Sequence, residues 1–212
     1  MAVSYMDFAS PNARYTYDLR NNPIYQKDPR NFVNGVGIQQ LNTIGNIFLL
    51  DVFLDAGNVV EPHSHPNASE LLYCVSGAAV ASFINPFTNE LRNFPLKPGQ
   101  VASFPQGWLH YATATEDRTH LLATHDTPLL QTVWFSDLLR LLPPQVFAHT
   151  YCLNEQQVKE TLSPIKERVV IGPPKNCHQQ PQAYLHHQRP TPPQHHPHHS
   201  YPRYGPHDPT MR

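Results

Sequence analysis

The stretch that decides the fold is GNVVEPHSHPNASELLYCVSG, residues 57–77, in which two histidines and a glutamate follow a regular spacing. His63 and His65 stand at positions i and i+2, and alternate side chains of a strand share a face, so both imidazoles point the same way. Pro66-Asn67 supplies a turn, and a second strand, Glu70 to Val75, is predicted to fold back beside the first. Two imidazoles and one carboxylate therefore converge on one side of a hairpin, which is the beginning of a metal site.

A fourth ligand is predicted from the segment KPGQVASFPQGWLHYATA, residues 97–114. Pro105-Gln106-Gly107 is typical of a turn, and the β-rich run from Leu109 to Thr115 carries His110 near its start. If this segment lies across from the first, His110 completes a set of three imidazoles and one carboxylate.

The two segments together resemble the two signature motifs of the cupin superfamily. Their spacings are Gly57-x5-His63-x-His65-x4-Glu70-x6-Gly77 and Gly99-x5-Pro105-x-Gly107-x2-His110. The first motif matches at each position, and the second departs at its end, where Ala114 replaces an Asn that is not a metal ligand in the family. The alternative, an exposed His-x-His turn beside a solvated acid, requires two independently spaced motifs to arise by chance. The resemblance implies an all-β jelly-roll barrel, a double-stranded β-helix, with the four ligands in its lumen.

The ligand set narrows the choice of metal. Three neutral imidazoles and one carboxylate suit Mn²⁺, Fe²⁺, Ni²⁺ or Zn²⁺ better than Ca²⁺. Four protein ligands nearly close a tetrahedral zinc site, whereas octahedral Mn²⁺ or Fe²⁺ keeps about two open positions. Cupin chemistry uses open positions, so we expect Mn²⁺, with Fe²⁺, Ni²⁺ and Zn²⁺ as alternatives. Glu70 is the anionic ligand and the candidate catalytic residue.

Composition excludes several classes of partner. The 212 residues carry 15 basic and 16 acidic side chains, which gives no electrostatic case for nucleic acid or an anionic membrane. No signal-peptide pattern and no run of ~18 apolar residues is present, so a cytoplasmic protein without a transmembrane segment is predicted. Cys74, Cys152 and Cys177 show no CxxC spacing, which favours reduced thiols.

Four regions are predicted along the chain. Residues 1–35 are interpreted as an N-terminal arm that becomes a strand around Val36 to Gln40. Short β-rich runs separated by Gly, Pro and Asn turns predict a barrel over residues 36–133. Residues 134–165 are predicted to be helical, and residues 166–212 are predicted to form a disordered His/Pro-rich tail.

Three helices are predicted within the helical region. The first begins at Ser136 and ends at Pro143-Pro144, the second covers Gln145 to His149, and the third is capped by Asn154 and runs to about Leu162. This segment resembles the helical tail that follows the barrel in oxalate decarboxylases and germin-like proteins. The resemblance implies a homo-oligomer joined through these helices and the N-terminal arm. Packing of their apolar face on the chain's own barrel is the alternative.

The tail suggests a second kind of metal binding. It is too poor in aliphatic side chains to offset the entropy of ordering. Its histidine pairs indicate either a weak, multivalent metal-binding tract or a merely solvated extension. The pairs are His186-His187, His195-His196 and His198-His199.

The resemblance suggests oxalate or a similar small organic acid as substrate. Decarboxylation of oxalate also needs a protonated acid on a lid loop. Aligned on the helical tail, that acid falls at Leu129, and the nearest carboxylates are Asp126, Glu116 and Asp117. An oxidase, a dioxygenase or an inactive relative is therefore as well supported as a decarboxylase.

The other isolated histidines receive no ligand role at this stage. His120, His125 and His149 are interpreted as structural or surface residues, with His125 at the barrel mouth as an alternative.

Three hypotheses on function remain. The first is a metal-dependent cupin enzyme that acts on a small carboxylate. The second is a structural protein of a spore coat or other envelope layer, held together through the His-rich tail. The third is a module that binds or stores a metal or another ligand.

Overall fold

Two antiparallel β-sheets face each other in this computed structural model, which describes residues 8–175 and 177. One sheet has the strand order β1-β2-β3-β10-β5-β8, and the other has the order β11-β4-β9-β6-β7, with β12 paired to β4. The strands are β1 Pro23–Asp28, β2 Asn31–Val36, β3 Phe48–Leu54, β4 Val59–Ser64, β5 Glu70–Ser76, β6 Ala79–Asn85, β7 Glu90–Leu96, β8 Val101–Phe104, β9 His110–Ala114, β10 Thr119–His125, β11 Val133–Trp134 and β12 Ile171–Gly172. The helices are a 3₁₀ turn at Leu19–Asn21, α1 Phe135–Leu141, α2 Pro144–Tyr151 and α3 Glu155–Leu162.

The inward side chains of both sheets form one core. Strand β10 shows the pattern most clearly, because its alternate residues from Thr119 to His125 are buried. Apolar residues fill the middle of the barrel, among them Leu54, Leu72, Cys74, Phe104 and Leu121. The predicted all-β jelly roll followed by helices is confirmed.

The predicted hairpin of the first motif is wrong in its pairing. Strand β4 pairs with β9, whereas β5 pairs with β10 and β8, so the turn at Pro66-Asn67 carries the chain from one sheet to the other. The second motif crosses in the same way between β8 and β9. Neighbouring strands usually pair, and a jelly roll departs from that rule because its chain wraps around a closed double sheet.

The N-terminal boundary is also corrected. Strands β1 and β2 form a hairpin at the edge of the first sheet, so the predicted arm of residues 1–35 gives way to the barrel at Pro23, and residues 38–40 form a turn rather than a strand. The polar character of β2 hid this strand. Buried Asn31 accepts a hydrogen bond from the Asp55 backbone N–H at 2.8 Å, so its side-chain amide oxygen pairs with the backbone just after β3.

The helices agree closely with the prediction. The Asn154 side chain accepts a hydrogen bond from the Gln157 backbone N–H at 3.0 Å and caps α3. No residue of α2 or α3 is buried, and the exposed apolar side chains of this region include Leu138, Leu141, Leu142, Val146, Tyr151 and Leu153. The predicted self-association through the helices stays a prediction.

The chain returns to the barrel after α3, which corrects the predicted start of the tail at residue 166. Strand β12 pairs with β4, and buried Glu61 of β4 holds this return in place. The Glu61 carboxylate accepts hydrogen bonds from the backbone N–H and hydroxyl of Ser136 and from the Val170 backbone N–H, at 2.8, 2.7 and 3.0 Å. The predicted disorder and the histidine pairs of the tail lie outside the described residues.

Two further sequence predictions concern thiols and membranes. Cys74, which is buried, and the exposed Cys152 and Cys177 form no disulfide among the described residues. Among the described residues, no helix combines the length and the apolar content that crossing a membrane requires.

The first motif ends at Gly77, and we expect Gly77→Ala to destabilise the barrel strongly. Gly77 has φ +70°, and an added Cβ would lie 2.5 Å from Thr119 Oγ1 and 2.7 Å from Thr119 Cα. Gly99 has φ +88° but nothing within 4 Å of the corresponding point, so Gly99→Ala is a matched control that carries only the backbone strain. Urea denaturation should show Gly77→Ala losing ~1–3 kcal/mol more unfolding free energy than Gly99→Ala. Equal losses would contradict the proposed clash.

Candidate metal centre

The four predicted ligands meet between the two sheets. The donor atoms of His63, His65, Glu70 and His110 all lie within 4.8 Å of one another, and all four residues are buried. Two ligand atoms that share one cation at ~2.1 Å lie up to about 4.2 Å apart, so this cluster has nearly the dimensions of a metal site. The structure therefore brings together the residues that the two motifs predicted.

Strand register explains the convergence. His63 and His110 are cross-strand partners on β4 and β9, and His65 follows immediately after the end of β4. Glu70 begins β5 in the opposite sheet. Since the inward faces of the two sheets oppose each other, the carboxylate points at the imidazoles across the lumen.

Backbone carbonyl groups fix the tautomer of the three ligand imidazoles. The Nδ1 atom of His63 lies 2.7 Å from the Glu61 carbonyl oxygen, that of His65 lies 2.9 Å from the Gln131 carbonyl oxygen, and that of His110 lies 2.8 Å from the Trp108 carbonyl oxygen. A carbonyl only accepts, so each Nδ1 carries the proton and each neutral ring presents a bare Nε2. This is the second-sphere arrangement that metal-binding histidines usually have.

The bare nitrogens face a carboxylate oxygen. Nε2 of His65 and Nε2 of His110 each lie 3.2 Å from Glu70 Oε2. Lone pairs on both sides repel unless a proton or a cation lies between them. The donor chemistry of the cluster therefore fits a bound divalent ion.

The electrostatic surroundings of Glu70 and His63 favour the protonation states that bind a metal. Burial alone would raise the pKa of Glu70, but the surrounding His110, His125 and His65 rings outweigh burial and hold its pKa well below its usual range. Burial lowers the pKa of His63 well below its ordinary value, and the neighbouring His110 ring lowers it further. An anionic carboxylate beside a neutral imidazole needs no proton removal before it binds a metal.

Aromatic rings enclose the cluster. Phe104 stacks on His110 with ring centroids 4.3 Å apart and planes at 13°, and Trp134 lies 4.9 Å from His63. Phe83 meets Phe104 edge to face at 6.2 Å. These apolar walls lower the local dielectric, which strengthens the attraction between the site and a cation.

Sequence reasoning missed one histidine of the site. His125 is 1% exposed, so it is not a surface residue, and its Nε2 lies 3.1 Å from Glu70 Oε2, beside the predicted ligands. The alternation along β10 was the available signal, because His125 shares a face with Leu121. By contrast, His120 pairs with Asp51 as a structural residue, and His149 is exposed on α2.

Two of the three acids considered for a lid role, Asp126 and Asp117, have other partners. Asp126 accepts hydrogen bonds from the backbone N–H and hydroxyl of Ser69, both at 2.8 Å, and these bonds lower its pKa despite partial desolvation. Asp117 accepts a hydrogen bond from the Ala56 backbone N–H. Leu129 is 54% exposed and offers no carboxylate. The protonated acid of a decarboxylase lid is therefore not found at these positions.

The fold and the site together define the class of protein. It is a small closed β-barrel that encloses a buried metal-binding cluster of three histidines and one glutamate. A sequence profile described as Cupin matches residues 25–159, and the chain belongs to this family.

Curated relatives support the same placement. A germin-like protein from Ipomoea nil is 35% identical over 113 residues, which cover 52% of this chain and 52% of the relative. The auxin-binding protein ABP19a from Prunus persica is 34% identical over 133 residues, which cover 60% and 58% of the two chains. The matched region therefore spans about half to three fifths of the length of these curated relatives.

Solved structures share the fold. A mutant of the oxalate decarboxylase OxdC from Bacillus subtilis superposes with a TM-score of 0.67 at 20% identity, covering 77% of this chain and 42% of that one. Procruciferin, an 11S globulin from Brassica napus, gives a TM-score of 0.69 at 20% identity, covering 76% and 43%. At this level of identity the two likenesses show the fold alone.

The pKa of His63 predicts a pH dependence of stability in the metal-free protein. Unfolded His63 takes up a proton as the pH falls through ~6.5, whereas the folded ring with its lowered pKa does not, so the unfolding free energy falls with pH. Below pH ~4.5, protonation of unfolded Glu70 adds a loss of the same sign.

Urea denaturation between pH 7.5 and 5 tests this expectation in the presence of a chelator. His63→Phe should show a shallower decline than the wild-type protein, and His149→Phe, on an exposed helix, should not. A decline that is identical in all three proteins would contradict the assignment to His63.

Proposed function

We propose that this chain holds one divalent transition-metal ion through His63, His65, Glu70 and His110 and uses it to act on a small carboxylate such as oxalate. The observation that carries the proposal is the convergence of four buried donors whose imidazoles already have the metal-binding tautomer. Mn²⁺ is the proposed ion and Fe²⁺ the second choice, because both prefer more ligands than the protein supplies. Ni²⁺ and Zn²⁺ suit the same donor atoms.

A bound ion would supply a Lewis acid or a redox centre for an oxygen-rich substrate. The residues of the chain contribute binding and orientation. Three imidazoles fixed at Nδ1 cannot rotate away, and Glu70 supplies one negative charge that offsets part of the cost of placing a dication in a buried site. Phe104 and Trp134 pack apolar rings against His110 and His63.

The loop between β10 and β11 favours oxidation over decarboxylation. Decarboxylation leaves an electron pair on carbon that must receive a proton, and Leu129 has none to give. Asp126 remains ionised because its carboxylate is hydrogen-bonded to Ser69. Oxidation of oxalate by O₂ requires no proton at carbon. Its C–C bond breaks to give two molecules of carbon dioxide, and the two electrons released pass to O₂, which takes up two protons from water to form hydrogen peroxide.

A second candidate is ligand binding without turnover. The peach relatives, 33–34% identical to this chain, are named as auxin-binding proteins, and that name describes binding rather than catalysis. Binding would use the same metal and the same open positions. A measurement of product formation distinguishes the two candidates, because binding without turnover yields no product.

Metal analysis tests the ligand assignment. A protein lacking residues 178–212 keeps all the elements described above and removes the histidine pairs of the tail. It should retain about one metal ion per chain after dialysis, and His65→Ala or Glu70→Ala in that background should retain almost none. His120→Ala, which removes a histidine paired with Asp51, is the matched control and should keep its metal. Stoichiometric metal in either ligand variant would show that the ligands are wrongly assigned.

Turnover of oxalate tests the proposed reaction. The Mn²⁺-loaded protein should consume O₂ and release hydrogen peroxide, whereas a decarboxylase would release formate without net O₂ consumption. Leu129→Glu places an acid at an exposed position of the loop and should raise the share of formate. A fully metal-loaded protein that is inert toward oxalate and other small carboxylates would exclude the enzyme and leave the binding candidate.

A further inference from the structure

A fourth imidazole lies beside the three ligand histidines and touches the carboxylate of Glu70. His125 on β10 is the cross-strand partner of Glu70 on β5, and its Nε2 lies 3.1 Å from Glu70 Oε2. The ring is fully enclosed and stands at 81° to the His65 ring with centroids 4.6 Å apart. It does not belong to the group of four donors that lie within 4.8 Å of one another.

Hydrogen bonding distinguishes His125 from the three ligand histidines. Their Nδ1 atoms lie 2.7–2.9 Å from carbonyl oxygens, whereas His125 Nδ1 lies 3.2 Å from the Phe48 carbonyl oxygen. A neutral imidazole carries one N–H, so His125 can donate either to Phe48 or to Glu70. A hydrogen bond to a carboxylate is about twice as strong as one to a neutral carbonyl, which favours the proton on Nε2.

We propose that His125 is a positioning residue whose Nε2–H donates to Glu70 Oε2 and orients this carboxylate toward the metal. The inference rests on the proposed metal site and assigns a role to a residue outside its ligand set. A glutamate side chain has three rotatable bonds, and a bond from a rigid neighbour reduces the freedom it loses when a metal binds. Partners of this kind typically change metal affinity 10–100-fold.

Two substitutions separate positioning from packing. His125→Phe keeps a ring of similar size but cannot donate, whereas His125→Gln is smaller and keeps an N–H donor. His120→Phe is the matched control, because His120 lies on the same strand and also pairs with a carboxylate, that of Asp51. We expect the tight-site Mn²⁺ affinity of the full-length protein, measured by competition with a chelator, to fall ~10–100-fold in His125→Phe. It should recover substantially in His125→Gln and stay unchanged in His120→Phe.

The tautomer can be observed directly in the wild-type protein. ¹⁵N NMR of histidine-labelled, Zn²⁺-loaded protein should show His125, assigned by its absence in His125→Gln, protonated on Nε2. The three ligand histidines should be protonated on Nδ1. This readout holds even if His125→Phe fails to fold.

The outcomes are distinguishable. Unchanged affinity in His125→Phe, a proton on Nδ1 of His125 or a metal-shifted His125 Nε2 would overturn the positioning role. A wild-type protein without a tight metal site would instead overturn the proposed function.

Discussion

One buried carboxylate organises the centre of this barrel. Glu70 lies among imidazoles from both sheets, and an ionised carboxylate in such a place would be prohibitively costly without partners. Its contact with His125, and a proton or cation shared with the Nε2 atoms of His65 and His110, meet that requirement. The same contacts leave a position at which a cation satisfies the carboxylate and the bare imidazole nitrogens together. Folding and metal binding therefore depend on the same atoms.

Strand register builds the site as two facing rows. In the first sheet the row runs across β3, β10, β5 and β8 and consists of Phe48, His125, Glu70 and Phe104. In the second it runs across β11, β4, β9 and β6 and consists of Trp134, His63, His110 and Phe83. Each row has polar residues in the middle and aromatic rings at its ends. A slip of one residue in any of these pairings would turn a ligand out of the lumen, so the register is under strong constraint.

The ligands could be predicted because each motif has a local spacing and because the resemblance to cupins joins His110 of the second motif to the first. The His-x-His pair and the turn at Pro66-Asn67 act within a few residues, and helix boundaries at Pro143 and Asn154 are equally local. Strand pairing is a long-range property, and for that reason the hairpin prediction failed although its strands were nearly right. Strand β2 was missed because buried asparagines such as Asn31 look like loop residues in the sequence. Their burial is explained only by partners that are distant in sequence, such as the Asp55 backbone N–H. His125 was overlooked because no motif includes it, and only its alternation with Leu121 and its register with Glu70 reveal its role.

Glu61 links the interior of the barrel to its outside through two different groups. Its backbone carbonyl accepts from His63 Nδ1, and its carboxylate accepts from Ser136 at the start of α1 and from Val170 just before β12. The geometry of a ligand histidine and the docking of the helical region are therefore mechanically coupled through a single residue. The orientation of His63 and the docking of the helical region both depend on where Glu61 lies in β4.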